Sequence, residues 1–164
     1  MTKKERNNLK LRPNVCMLLY NSDKKLFLGE RNKHPGVWQF PQGGEEKGLS
    51  PEENVIKELH EETGADKKLF LITKKLSSKY EYDFLETPDY AKGIWRGQSQ
   101  TFWMVQFIGN DTDFDLNRFE PEFMNFRWCD VEEVKQLAEP RRLKSYIKPL
   151  NEFILEVLKA GSIK

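Results

Sequence analysis

Apolar and polar positions repeat at two different periods along this chain, and the switches between them mark its elements. Val15 to Tyr20 (VCMLLY) is an unbroken apolar run of strand length, as expected of a strand covered on both faces. Asn21-Ser22-Asp23 reads as a turn, and Lys25 to Arg31 alternates into a second strand. Glu53 to Ala65 (ENVIKELHEETGA) changes to helical spacing, with Val55, Ile56 and Leu59 as the apolar stripe. Ser50-Pro51-Glu52-Glu53 supplies a capping hydroxyl, a proline at the first helical position and a glutamate at the third, and Gly64 permits a left-handed stop. Phe70-Leu71-Ile72 starts a further strand. Tyr80 to Phe84 alternates aromatic and acidic residues, as a half-exposed strand does, and Thr87 to Arg96 reads as a loop. Thr101 to Ile108 is a strongly apolar strand, and Phe126-Arg127-Trp128 a shorter one. Asp130 opens a helix with the stripe Val131, Val134 and Leu137. A final helix carries Ile147, Leu150, Phe153, Ile154 and Val157, with Pro149 marking a kink or a fresh start. The pattern predicts an α+β fold.

Length and charge narrow this further. At 164 residues the chain suits one domain spanning 1–164, with 1–10 as a flexible basic N-terminus. Lys and Arg number 27 against 26 Asp and Glu, a net charge of +1, so bulk charge predicts no affinity for nucleic acid and any such contact must come from a local patch. Cys16 and Cys129 lie far apart in predicted strands and read as buried free thiols. No apolar run approaches the ~20 residues of a membrane span, and Met1 to Lys10 lacks the apolar core of a secretory signal. A cytoplasmic location is the default expectation, and no obligate protein partner is evident.

The chemistry concentrates on the predicted helix. Glu58, Glu61 and Glu62 stand at i, i+3 and i+4 and so share a face, expected to point outward into a cleft or solvent. Carboxylates so crowded repel one another unless cations sit between them. Oxygen-only ligands favour a hard divalent ion, Mg²⁺ or Mn²⁺. A solvated acidic face would show the same spacing. Just upstream, Trp38-Gln39-Phe40-Pro41-Gln42-Gly43-Gly44 runs from an aromatic strand end into paired glycines, which let backbone approach a ligand or neighbour closely. His34 and His60 form no zinc motif and read as non-ligands.

Gly43 through Ala65 resembles the Nudix box, G-x5-E-x7-R-E-U-x-E-E-x-G-U with U aliphatic. Gly43, Glu58, Leu59, Glu61, Glu62 and Gly64 match it in register. The Pro41-Gln42-Gly43-Gly44 lead-in, Arg12-Pro13-Asn14-Val15, Gly97-Gln98-Ser99-Gln100 and Pro121-Glu122-Phe123 are similar to a subgroup, the bacterial RNA pyrophosphohydrolases and related dinucleoside polyphosphate hydrolases. The resemblance implies an α/β/α sandwich around a mixed β-sheet. It implies divalent ions held by Gly43, Glu58, Glu61, Glu62 and Glu122, with Glu58 or Glu61 as general base. It also implies substrate contacts from Arg12, Arg31, Gln98, Gln100 and Arg142, the last in a basic cluster with Arg141 and Lys144. Two positions depart from the box: Leu49 replaces its first Glu and Lys57 its Arg. The family's brace between loop and helix is then either loosened or rebuilt through Glu53 or Glu61, with Glu45 and Glu46 as nearby acids that could stand in. Three functions follow from the resemblance: hydrolysis of RNA 5′-triphosphate ends, cleavage of dinucleoside polyphosphates, or nucleotide sensing with little turnover.

Overall fold

β1 (Lys10–Tyr20) forms the spine of the molecule because it is paired along both edges. On one side it runs parallel to β6 (Trp95–Phe107). On the other it pairs antiparallel with β2 (Leu26–Arg31) and β4 (Gln42–Gly44). β3 (Trp38–Gln39) and β7 (Phe123–Cys129) add to β2, and β5 (Phe70–Asp83) adds to β6, completing a 7-stranded mixed sheet. This computed structural model describes residues 1–159.

The apolar run in β1 is explained by what covers it. Val15, Met17 and Leu19 face one side, where they pack with Val55 and Leu59 of α2 (Pro51–Thr63). Cys16, Leu18 and Tyr20 face the other, where they pack with Tyr146, Leu150 and Phe153 of α4 (Pro140–Phe153). Two cores, one on each side of one sheet, make the α/β/α sandwich. The cap of α2 forms as its sequence predicts: Ser50 and Glu53 exchange backbone hydrogen bonds, and Gly64 ends the helix at φ 77°. The cysteines are buried free thiols.

At the N-terminus a short helix, α1 (Lys3–Asn7), is capped by Thr2 and Glu5, and the Arg6 guanidinium donates to the Phe84 carbonyl. Two segments differ from the sequence expectation. β5 is one strand rather than two, with a register shift between Lys75 and Lys79. At that irregularity the Glu152 carboxylate of α4 accepts the Ser77 and Ser78 N–H groups, at 2.9 and 2.8 Å, so a side chain supplies partners there. The last helix starts earlier than expected, at Pro140, and absorbs Pro149 within its length before a π-type turn over Ile154–Lys159. α3 (Val131–Leu137) has its predicted Asp130 cap. Among the described residues, no helix is long and apolar enough to cross a membrane.

Candidate functional site

α2 stands against β4, and the two meet at a glycine. A Cβ placed on Gly43 would overlap the Glu58 carboxyl group, so only glycine allows the loop backbone to lie against that carboxylate. One turn further along, Glu62 does not join an outward acidic face. It continues the buried stripe of Val55 and Leu59 and is 5% exposed. Its Oε2 has no hydrogen-bond partner. An orphaned carboxylate oxygen at such depth is costly alone and suits a cation. Burial first, then Glu58 and Glu122, push the Glu62 pKa well up, with the Gln42 backbone acting in the opposite direction.

Glu58 is perturbed in the same sense. Burial raises its pKa to about 7; Lys57 pulls it down, while Glu61, Glu46 and Glu122 push it up. Glu122, just ahead of β7, is therefore within electrostatic reach of both acids, although it is remote in sequence. The segment before Glu122 is tied to the end of α2, where Asp115 N–H donates to Thr63 O at 2.8 Å and Arg118 Nη1 to Gly64 O at 3.0 Å. Among the described residues no three acidic, His or Cys side chains form a finished metal cage. Glu61 is instead drawn to Lys57, with Nζ to Oε1 at 2.8 Å. The donor set Glu58, Glu62, Glu122 and the adjacent Gly43 backbone is all oxygen and fits a hard divalent ion.

The departures from the box are reconciled here. Lys57 Nζ also lies 2.8 Å from Glu46 Oε1. Glu46 first, then Glu61, raise the Lys57 pKa well above the lysine range. The Glu46 N–H donates to the Oδ1 of fully buried Asn54 at 3.0 Å. The loop is thus pinned to α2 at two points, and Leu49 takes no part in the ion pairing. His60 Nδ1 lies 2.7 Å from the Ala65 carbonyl oxygen.

Beyond the loop, on the α4 side of the sheet, opens a cavity of about 750 Å³. Arg31, Gln100 and Arg142 line it, three of the five substrate contacts expected from sequence. Gln100 Nε2 donates to Gln42 Oε1 at 3.2 Å and to Asn14 Oδ1 at 3.1 Å, which joins the cavity to the glycine loop. Arg142 Nε sits 3.1 Å from Glu139 Oε2. Gln98 is not on the wall: its amide accepts from Tyr82 Oη at 2.8 Å and donates to Tyr90 Oη at 3.3 Å. Arg12 rests on Gly44, where a Cβ would overlap its guanidinium, and stands 4.7 Å from the Tyr90 ring centroid. Sequence reasoning missed the aromatic wall of Tyr80, Tyr82 and Phe84. Its signal was the period-2 alternation that puts Tyr80 and Tyr82 on one face of β5 and continues to Phe84 just past the strand's end. Tyr90 carried no such signal, because it lies in the loop.

Known proteins resemble the chain in sequence and shape. The NUDIX domain family matches residues 10–149. An RNA pyrophosphohydrolase of Rickettsia africae (strain ESF-5) is 32% identical over 151 residues, covering 92% of this chain and 94% of the relative. One of Rickettsia bellii (strain OSU 85-389) is 32% identical over 153 residues, covering 93% and 95%. Among solved structures, the E. coli dihydroneopterin triphosphate pyrophosphohydrolase superposes with a TM-score of 0.64 at 14% identity, over 93% of this chain and 99% of that one. A C. elegans Ap4A hydrolase superposes with a TM-score of 0.62 at 17% identity, over 87% and 98%. The structural likenesses establish the fold.

Proposed function

This chain belongs to the NUDIX domain family, and from that premise we propose that it is a divalent-metal-dependent hydrolase of phosphoric anhydride bonds whose substrate is the 5′-triphosphate end of RNA. The observation that carries the reading is the unpartnered, buried Glu62 oxygen beside Glu58 and the glycine loop, next to an arginine-lined cavity. Glu58, Glu62, Glu122 and the Gly43 carbonyl would hold Mg²⁺ or Mn²⁺, with Glu61 beside them in its ion pair with Lys57. Such ions supply positive charge against the phosphate chain and acidity to the attacking water. Arg12, Arg31 and Arg142 offer planar forks to phosphate oxygens. Gln100 fixes the cavity against the loop, and the tyrosines of β5 offer faces for a nucleobase. Water attacks phosphorus, its proton passes to Glu58 or Glu61, the anhydride P–O bond breaks, and pyrophosphate leaves a 5′-monophosphate end. Positioning and electrostatics supply most of the acceleration, so no nucleophilic side chain is required.

RNA is preferred over a dinucleotide because Arg141 and Lys144 extend positive charge along the rim of the cavity, where a longer chain of phosphates would pass. The relatives named RNA pyrophosphohydrolase support the same choice. The aromatic wall favours a second reading, cleavage of a dinucleoside polyphosphate, whose extra base would stack there. The rebuilt Glu46–Lys57–Glu61 pairing supports turnover rather than sensing. A cytoplasmic setting suits an RNA substrate and the two free thiols. Incubation with Mg²⁺ and either 5′-triphosphate RNA or diadenosine tetraphosphate, following pyrophosphate or nucleotide release, tests the choice. Faster turnover of RNA supports the proposal; turnover of the dinucleotide alone moves the substrate class; nucleotide binding with no product from either points to a sensor.

A further inference from the structure

Arg12, Gln98 and Tyr82 lie side by side across three strands, since Gln98 is the register partner of Arg12 on one side and of Tyr82 on the other. Tyr90 reaches over this row from the loop joining β5 to β6. Its ring stands 4.7 Å from the Arg12 guanidinium carbon, and its hydroxyl accepts from Gln98 Nε2 at 3.3 Å. Gln98 in turn accepts from Tyr82 at 2.8 Å, and Phe84 meets the Tyr90 ring edge-on at 6.3 Å. The next residue, Ala91, is fully buried and closes two local turns, with its N–H on Pro88 O and its carbonyl accepting from Ile94, each at 2.9 Å. The position of the ring is therefore fixed from several directions. Arg12 itself also lies against Gly44 of the loop that meets Glu58. Among the described residues, none of the ion pairs involves Arg12.

A long cationic side chain without a counter-charge ordinarily samples many rotamers. Here an aromatic face and a glycine backbone restrict it. We propose that Tyr90 is a positioning residue: its ring holds the Arg12 guanidinium against Gly44, so that the N–H edge is already presented to a phosphate of the substrate. The proposal rests on the polyphosphate reading above. It adds Tyr90 to what the 84–94 loop already contributes through Phe84 on the cavity wall, and it assigns the Gln98 amide to holding Tyr90 rather than to touching substrate. Preordering of this kind acts on binding more than on the chemical step.

The test is a double-mutant cycle read by calorimetry, using a non-hydrolysable nucleoside 5′-triphosphate analogue with Mg²⁺. Tyr90→Leu is expected to weaken binding about 3- to 5-fold, the scale of an exposed cation–π contact. In an Arg12→Ala background the same change is expected to cost nothing further. Tyr90→Phe keeps the ring and is expected to bind within about 2-fold of wild type. In turnover, Tyr90→Leu should raise KM and leave kcat nearly unchanged. An equal penalty for Tyr90→Leu with and without Arg12, an equal loss in Tyr90→Phe, or no binding of the analogue by the wild type would each overturn the proposal. Tyr90 is half exposed, so Tyr90→Leu should fold; were it not to, Tyr90→Phe against Arg12→Ala still decides. Failure of the functional reading is distinguishable: it appears as absent turnover of either substrate while the coupling in binding survives.

Discussion

The acidic end of the molecule and the cationic cavity beside it are built on opposite terms. The acids are concentrated: Glu58, Glu61 and Glu62 come from one helix, and Glu122 is brought to them by a segment anchored at that helix's end. Two of them, Glu58 and Glu62, are burdened by burial and by neighbouring carboxylates. The cavity is dispersed: Arg31 comes from β2, Gln100 from β6, the aromatic wall from β5 and Arg142 from α4, and Arg142 already has a carboxylate beside it. One region holds unfavourable charge that an added cation would relieve. The other is largely satisfied as it stands and ready to meet an anion. Substitutions in the first should therefore alter both rate and stability, and in the second chiefly affinity.

Glu58→Gln or Glu62→Gln should reduce turnover by at least ~100-fold if these groups hold the ions. The Glu62 change should at the same time stabilise the metal-free protein at pH 8 by about 1–2 kcal/mol, because it removes a buried carboxyl that must give up its hydration or take up a proton on folding. Turnover and denaturant midpoints on the same samples check both halves, and a destabilised, active Glu62→Gln would remove Glu62 from the site. Lys57→Met should come next, at roughly 10-fold in kcat/KM, since it frees the loop from α2. Its effect on stability should stay below ~1 kcal/mol because the pairs are partly exposed. Restoring the family residues, Leu49→Glu with Lys57→Arg, should bring little gain, because Glu46 already occupies the partner role. Arg31→Ala should raise KM about 5- to 10-fold with kcat retained, the mark of binding shared by ground and transition states.

A pH series sharpens the contrast further. Glu58 has an ordinary pKa of 4.5 unfolded and about 7 folded. Between those values the folded chain keeps a proton that the unfolded chain has released, so stability of the metal-free protein falls as pH rises through that window. Glu62 shifts in the same direction and adds to the fall. Urea midpoints at pH 5 and pH 8 should differ in favour of pH 5, and Mg²⁺ should narrow the gap by favouring the ionised carboxylates. A midpoint that rises from pH 5 to pH 8 without metal would contradict the burial of charge at this site.

What could be read from the chain follows the same division. α2, its cap and its glycine stop were legible because capping and spacing are local, and the three acids came with them. Glu62's burial was missed although it was legible: Val55, Leu59 and Glu62 stand at i, i+4 and i+7, but the acid was grouped with Glu58 and Glu61 instead of with that stripe. Glu46 as the partner of Lys57 was only one of several acids in range, and the loop's path had to choose. Arg12, Gln98 and Tyr82 fall into one row through a strand register that joins residues distant in sequence. Tyr90 joins them from a loop with no periodicity to read. The continuity of β5 was hidden for a related reason: Glu152, from the far end of the chain, bridges the irregularity.

Calorimetric titration of Mn²⁺ into wild type and Glu62→Gln, each with and without the triphosphate analogue, decides whether the acidic end holds ions. The wild type should bind Mn²⁺, the analogue should tighten this binding, and Glu62→Gln should weaken it at least ~10-fold. Equal Mn²⁺ affinity in the two proteins, indifferent to the analogue, would mean that the acidic end of this molecule does not hold the ions on which the proposed hydrolysis depends.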